Sequence, residues 1–287
     1  MADARIGIIG GTGLYDMEGM TGIEEVHPDT PFGKPSDSIV LGSLDGVSLA
    51  FLPRHGRGHR LNPGEVPYRA NIFALKALGV EWVIAINSAG SFREEICPGS
   101  LVIPDQIIDR TTRRTGTFFG EGMVVHVSFA DPFCPDLSDI LYRAAVEAGA
   151  SVTKGGTFIC MEGPLFSTRA ESRLYQSWGA SIVGMTVLPE AKLAREAELC
   201  YASVVCVSDY DCWLERREPV TAEMIIGVIR QNVSTSKKII KVASQLIPSR
   251  RSCECKEALK TAIVTAPEYI PAEKKKELKL LIGKYVK

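Results

Sequence analysis

Short apolar runs alternate with amphipathic stretches along almost the whole chain. An apolar run over 5–9 leads into Gly10-Gly11-Thr12-Gly13. Residues 38–41 and 47–52 read as strands flanking Asp45-Gly46, a hairpin signal. Over 68–78, Ala70, Phe73, Ala74, Ala77 and Leu78 fall on one side and Gly79 suits a C-cap, which predicts a helix. Residues 82–86 form an apolar strand that ends at Asn87-Ser88-Ala89-Gly90-Ser91. A further strand over 100–103 precedes a polar stretch, 105–114, read as a loop. Residues 138–147 make an amphipathic helix closed by Gly149, and 157–161 a strand entering Glu162-Gly163-Pro164. Helices are expected over 169–177 and 190–198, with a buried strand between 201 and 207. The longest helix starts near a Thr221 cap and carries Ile225, Ile226, Ile229, Val233, Ile240 and Ala243 on one stripe.

Strands and helices alternating at this rate imply an α/β fold, a central mixed β-sheet flanked by helices in a single domain. The core unit is expected over 1–248, with 249–287 as a C-terminal helical extension packed on it. No internal repeat or low-complexity segment interrupts the pattern.

Charge narrows the function. The 33 basic and 34 acidic residues leave a net charge of −1, so no long-range field favours nucleic acid or an anionic membrane. Lys274-Lys275-Lys276 is bracketed by Glu273 and Glu277 and reads as a solvated helix face. No window approaches the roughly 18 apolar residues of a membrane span, and the apolar run after Arg5 is too short for a signal peptide. A cytoplasmic location is expected. The eight cysteines contain no C-x-x-C and no pair of pairs, so no structural zinc site is expected. Cys253-Glu254-Cys255 fits either a small strained disulfide or two exposed thiols.

The polar clusters fall at predicted strand ends, where α/β proteins hold ligands. Gly10-Gly11-Thr12-Gly13 can converge backbone N–H groups on an anion, with the Thr12 hydroxyl as a further donor. A dinucleotide fingerprint would need glycine where Asp16 stands, and a plain tight turn is the other reading. Arg54-His55-Gly56-Arg57-Gly58-His59 places four potential cations together, suited to a phosphate or to a solvated loop. Asn87 and Ser88 follow a strand with no polar residue, as a ligand cradle or a polar turn would. Asp209 and Asp211 leave a buried strand at i and i+2, positions that serve acid–base work, a metal or a helix cap. His126, inside Met123-Val124-Val125-His126-Val127, reads by itself as a core residue.

Together these segments resemble the methylthioadenosine phosphorylases of the trimeric purine nucleoside phosphorylase superfamily. The resemblance rests on residues 6–14, 29–37, 54–57, 109–112, 162–164, 166–171, 184–186, 189–190 and 209–213, in order. It implies a phosphate site of Thr12, Arg54, His55, Asn87, Ser88 and Thr186, with Asn87 standing where these proteins often carry Thr. It implies ribose contacts from Met185, a base flanked by Phe166 and Ser167, and a purine edge held by Asp209 and Asp211. Ile225 and Ile226 would line a methylthio pocket, and His126 would complete a neighbouring subunit's site in a homotrimer or a hexamer of two trimers. Leu165 replaces an arginine common in these proteins, so no charge role falls there. Thermophilic members also suggest Cys134 and Cys200 as a disulfide pair.

The activity implied is attack of inorganic phosphate on the anomeric carbon of 5′-methylthioadenosine, giving adenine and 5-methylthioribose-1-phosphate with inversion. Phosphate is the co-substrate, and neither metal nor cofactor is expected. Asp209, its pKa raised by burial, would be the general acid at purine N7. Three readings compete: a broader purine nucleoside or methylthioinosine phosphorylase, an NAD-binding protein, and an inactive nucleoside-binding module.

Overall fold

The computed structural model describes residues 4–11, 13–14, 16–214 and 222–286, with side chains throughout except over 222–231. The strands, in chain order, are β1 (Ile6–Gly10), β2 (Met20–Val26), β3 (Ile39–Leu44), β4 (Val47–Pro53), β5 (Trp82–Ser91), β6 (Leu101–Ile103), β7 (Gln106–Arg110), β8 (Val152–Lys154), β9 (Thr157–Met161), β10 (Ile182–Gly184) and β11 (Cys200–Asp209). The helices are α1 (Tyr68–Ala77), α2 (Pro135–Glu147), α3 (Arg169–Ser177), α4 (Val187–Glu196), α5 (Ala222–Leu246), α6 (Ala272–Glu277) and α7 (Lys279–Ile282).

All strands join one mixed sheet, ordered β2-β3-β4-β1-β5-β10-β9-β7, with β11 on β5 and β6, and β8 on β6. The two faces of β5 show why its sequence is continuously apolar. Trp82 and Ile84 pack with Ile240 of α5 and Leu141 of α2. Val83 and Ala85 pack on the other face with Ile72 of α1 and Leu193 of α4. A strand covered on both sides has no polar face to alternate with.

β5 changes neighbours along its length. Its first half runs parallel to β1, from Ile6↔Trp82 to Ile9↔Ala85. Its end runs antiparallel to β10, through Val183↔Gly90 and Ile182↔Ser91. The parting of β1 and β10 opens the sheet at the carboxyl ends of β1 and the middle of β5, the kind of place where open α/β sheets hold ligands.

Several sequence expectations need correction. Asn87 to Ser91 is not a turn but the second half of β5, its backbone engaged by β11 from Val205↔Asn87 onward. Half of the polar stretch 105–114 is β7, paired with β9. β2 shows no sequence signal because Thr21, Glu24 and Glu25 lie exposed on an edge strand. The hairpin at Asp45-Gly46 forms as expected, with φ of 48° and 81°, the left-handed pair of a type I′ turn.

The tail beyond α5 folds back over the body. Leu259, Ile270, Leu278, Leu281 and Ile282 enter the same buried cluster as Phe73 and Val83, while Cys255 joins the cluster on the α2–α5 face. A bridge between Val125 and Ile263 fastens it to the segment that holds His126.

Candidate functional site

Arg54 follows the last residue of β4, and its N–H donates to the Gly10 carbonyl (2.9 Å), which sets its place beside the glycine turn. Its guanidinium crosses beneath β1 and β5, donating from Nη1 to the Ile86 carbonyl (2.9 Å) and from Nη2 to the Ile9 carbonyl (3.4 Å). Its other side makes a two-point ion pair with Glu190 of α4, Nε–Oε1 2.5 Å and Nη2–Oε2 3.1 Å. Glu190 is fully buried, and the Tyr201 hydroxyl also donates to it (3.0 Å). Burial opposes Arg54's charge, but the Glu190 carboxylate outweighs it and holds the guanidinium above its ordinary pKa. The sequence places Glu190 in a helix and in the 189–190 motif but gives it no role at the anion.

A hydrogen-bond chain runs on from Arg54. Asn87 Oδ1 accepts from Arg54 Nη2 (3.4 Å) and from the Ser203 hydroxyl (2.9 Å). These acceptor contacts fix the amide, so its Nδ2 donates to Thr186 Oγ1 (2.9 Å). Thr186 therefore keeps its hydroxyl hydrogen for another acceptor. Ser88, next on β5, has a buried hydroxyl with no hydrogen-bond partner among the described residues, and an unpaired buried hydroxyl calls for a ligand or water. Gly184 passes so close to this strand that a Cβ there would lie 3.0 Å from the Ser88 carbonyl.

His55 sits beside Arg54 and stacks on His59 at 4.3 Å. Its Nδ1 lies 2.8 Å from the Leu61 carbonyl, which can only accept, so the proton is on Nδ1 and Nε2 offers a lone pair. Burial, then the Arg54 charge, push His55 down to a pKa of about 4, leaving it neutral near pH 7. Arg57 points elsewhere, clamping Glu25 at 2.8 and 3.1 Å on the exterior, and His59 is exposed behind His55. The expected four-cation cluster thus reduces to Arg54 and His55 at the site.

The glycine turn has one position with a backbone demand, Gly13 at φ +103°. A Cβ on Gly11 would meet nothing within 4 Å, so the turn faces open space. Thr12 lies outside the described residues, as do the side chains of Ile225 and Ile226.

Further along β5, Gly90 faces the two carboxylates. A Cβ there would lie 3.0 Å from Asp209 Oδ1 and 3.2 Å from Asp211 Cβ, so only glycine admits this approach. The register of β11 shifts between Val207 and Asp209, a bulge that re-aims the strand end. Asp209 Oδ2 accepts from the Ser208 hydroxyl (2.7 Å). Asp211 is the more buried of the two, and its Oδ2 has no hydrogen-bond partner among the described residues. Burial raises its pKa, the Asp209 charge adds to that, and the Ser172 hydroxyl beside it, short of hydrogen-bond geometry, offsets only part. The burial expected at Asp209 is thus found more fully at Asp211.

Cys212 donates to the Ser167 carbonyl (3.3 Å), which ties the 165–167 turn to the carboxylate pair. In that turn Leu165 and Phe166 are 81% and 59% exposed, large apolar groups left open beside the site. Met185 lies over Gly163, whose Cβ would fall 2.6 Å from its sulfur. Arg114, a second position not singled out beforehand, is almost fully buried and donates to the carbonyls of Met185, Leu188 (2.7 Å) and Glu162. It braces the segments that carry Met185 and Phe166. Its only sequence signal was an arginine in a polar stretch.

His126 is not a core residue. It is exposed, and its N–H donates to the Ala262 carbonyl (2.8 Å) of the tail.

Residues 5–244 match the family model described as the phosphorylase superfamily. Over 98% of its length the chain is 58% identical to an S-methyl-5′-thioadenosine phosphorylase of Geobacter sulfurreducens, covering 99% of that protein. It is 51% identical to one from Hyperthermus butylicus, over 91% of this chain and 96% of that one. Among solved structures, a methylthioadenosine phosphorylase from an antarctic soil metagenomic library superposes with a TM-score of 0.93 at 49% identity, covering 98% and 99% of the two chains. The methylthioadenosine phosphorylase of Schistosoma mansoni in complex with adenine superposes at 0.81, with 38% identity over 90% of this chain and 96% of that one.

Proposed function

The chain belongs to the phosphorylase superfamily, and from that membership and the site geometry we propose that it cleaves 5′-methylthioadenosine with inorganic phosphate, releasing adenine and 5-methylthioribose-1-phosphate. The observation that carries this reading is the chain Arg54–Asn87–Thr186 beside the Ser88 hydroxyl, unpartnered among the described residues, with two carboxylates facing Gly90 farther along the strand of Asn87 and Ser88.

Phosphate lies between the glycine turn and Arg54. The Arg54–Glu190 pair has no net charge, so much of the anion's hold comes from neutral donors: the hydroxyls of Ser88 and Thr186, joined by that of Thr12, which lies outside the described residues. The neutral Nε2 of His55 accepts a hydrogen bond from the P–OH of monohydrogen phosphate, which keeps its proton, and leaves the unprotonated oxygens facing the sugar. One of them attacks C1′ from the face opposite the base. The C1′–O bond forms, the C1′–N9 bond breaks, and its electron pair passes into the purine. Positioning replaces a bimolecular encounter, and the phosphate dianion stabilises the oxocarbenium-like sugar next to it.

The purine leaves as neutral adenine only if N7 is protonated. Burial of Asp211 beside the Asp209 charge favours keeping one proton on the pair, and Asp209, on the less buried side, passes it to N7. The carboxylate oxygens also accept from the N6 amino group. A 6-oxopurine would turn a lone pair toward them, an unpaired contact in a dry pocket. Met185 covers the ribose, Phe166 and Ser167 flank the base, and Ile225 and Ile226 line the methylthio end.

The working unit is a homotrimer in which His126 of one subunit completes the next subunit's site. Its exposure, with Val124 and Val264 at 47% and 61% beside it, suits an apolar contact between copies. Neither nucleic acid nor membrane is a partner, and no helix among the described residues is long and apolar enough to cross a membrane.

The test is phosphate-dependent adenine release by wild type and by Asp209→Asn, with methylthioadenosine, adenosine and inosine side by side. Wild type should prefer methylthioadenosine, and the variant should lose about 10²–10⁴ in rate on it while gaining relatively on inosine. A wild-type preference for inosine would favour a 6-oxopurine phosphorylase. Tight NAD binding would replace the phosphate assignment altogether.

A further inference from the structure

Away from this site the fold assembles a group that the cysteine spacing hides. The Sγ atoms of Cys134, Cys200, Cys253 and Cys255 all lie within 4.8 Å of one another. Cys134 caps α2 and Cys200 opens β11, joined by a backbone bond from Cys134 N–H to the Tyr201 carbonyl (2.8 Å). Cys253 and Cys255 come from the tail, where Cys253 precedes the short helical turn Glu254–Glu257. Three of the residues are buried, Cys253 is half-buried, and none is disulfide-bonded.

We propose that these four thiols are a tetrathiolate site for a soft divalent d¹⁰ ion, zinc by preference. A tetrahedral ion with Zn–S bonds of about 2.3 Å sets its sulfurs about 3.8 Å apart. No pair needs to close by more than about 1 Å to meet that, and the Cys200–Cys253 pair, at 3.2 Å, would open slightly. Two disulfides would leave the thiols in two bonded pairs, whereas here all four are free and lie within 4.8 Å of one another. The positive end of the α2 helix at Cys134 favours the thiolate form, and the surroundings, with Leu137 and Leu141, are apolar. On binding, S–H bonds give way to S–Zn bonds and the protons pass to solvent, with no change of oxidation state. The ion would fasten the tail to α2 and β11. Spacing rules miss such a site because its ligands come from three distant segments.

The experiment uses the full chain, produced with zinc supplied and kept reduced with a phosphine. Metal analysis should give about one zinc per chain. Cys134→Ser and Cys255→Ser should lose most of it, and Cys97→Ser, which changes an exposed thiol, should retain it. Should the serine variants fail to fold, wild type stripped of zinc and reloaded with cobalt should show the intense visible absorption of tetrahedral cobalt thiolate. Reduced wild type that takes up no zinc from an excess would overturn the proposal. So would an intact mass lower by two hydrogens per cysteine pair that persists with zinc present, which would identify disulfides.

Discussion

Glu190→Gln isolates the buried ion pair on which the anion side of the site is built. The substitution preserves shape but leaves the Arg54 guanidinium, 3% exposed, without its counter-charge. Breaking a buried pair from one side costs about 3–5 kcal/mol. Because glutamine still accepts one hydrogen bond and Ile9, Ile86 and Asn87 keep theirs, the lower end, about 3 kcal/mol, applies. At roughly 2–4 °C per kcal/mol for a chain near this size, Tm should fall by about 6–12 °C. The same change exposes a full positive charge to the anion. Phosphate at about 100 times its Kd stabilises a protein by roughly 2.7 kcal/mol, and each tenfold gain in affinity adds about 1.4 kcal/mol. Phosphate should therefore raise the variant's Tm by more than that of wild type. Differential scanning calorimetry with and without phosphate reads both effects. A variant within about 2 °C of wild type, or one less responsive to phosphate, would refute the assignment of Glu190 as the partner that masks Arg54.

Ser88→Ala should leave stability unchanged or slightly raised, since it removes a buried hydroxyl with no partner. It should also weaken apparent phosphate affinity about 10–100-fold, the worth of a hydrogen bond to a charged group, read as KM for phosphate. Gly90→Ala should lower kcat/KM by at least about tenfold with little change in phosphate KM, because the new Cβ displaces Asp209 and Asp211 rather than the anion's donors. For pH, His55 at about 4 in the fold makes stability fall as pH drops from about 6.5 to 4, since the unfolded chain binds that proton first. Glu196, pushed up to about 7 by burial, acts oppositely and makes stability fall as pH rises from about 4.5 to 7. Relative to wild type, Glu196→Gln should therefore gain stability at pH 7 over pH 5, and His55→Gln should lose it, as read by Tm against pH.

Much of this was legible because both faces of the central strands are buried and therefore read as unbroken apolar runs. The limits of legibility are physical too. Asn87 to Ser91 read as a turn because polar side chains in a strand signal its end, yet here the backbone stays paired with β11 while the side chains serve the cavity. Arg114 carried no pattern, since the carbonyls it holds around Met185 lie 71 residues away, and Glu190, though inside the 189–190 motif, could not be paired from sequence with Arg54, 136 residues away. The histidine at 126 sits in an apolar sequence but on an exposed surface, because the stretch alternates, with Met123, Val125 and Val127 packed on the core and Val124 and His126 exposed. The cysteines failed a spacing rule that holds only when ligands share a loop.

The length of β5 has one more implication. Asn87, Ser88 and Gly90 are rungs of an interior strand, so the anion's cradle cannot loosen unless the whole sheet opens, and heat should abolish turnover and tertiary structure together. The turn with Leu165 and Phe166 is under no such constraint, since both side chains are exposed and neither residue belongs to a strand. Preference among bases and sugars can therefore drift through changes at that rim, whereas the nucleophile's seat is locked to the architecture that carries it.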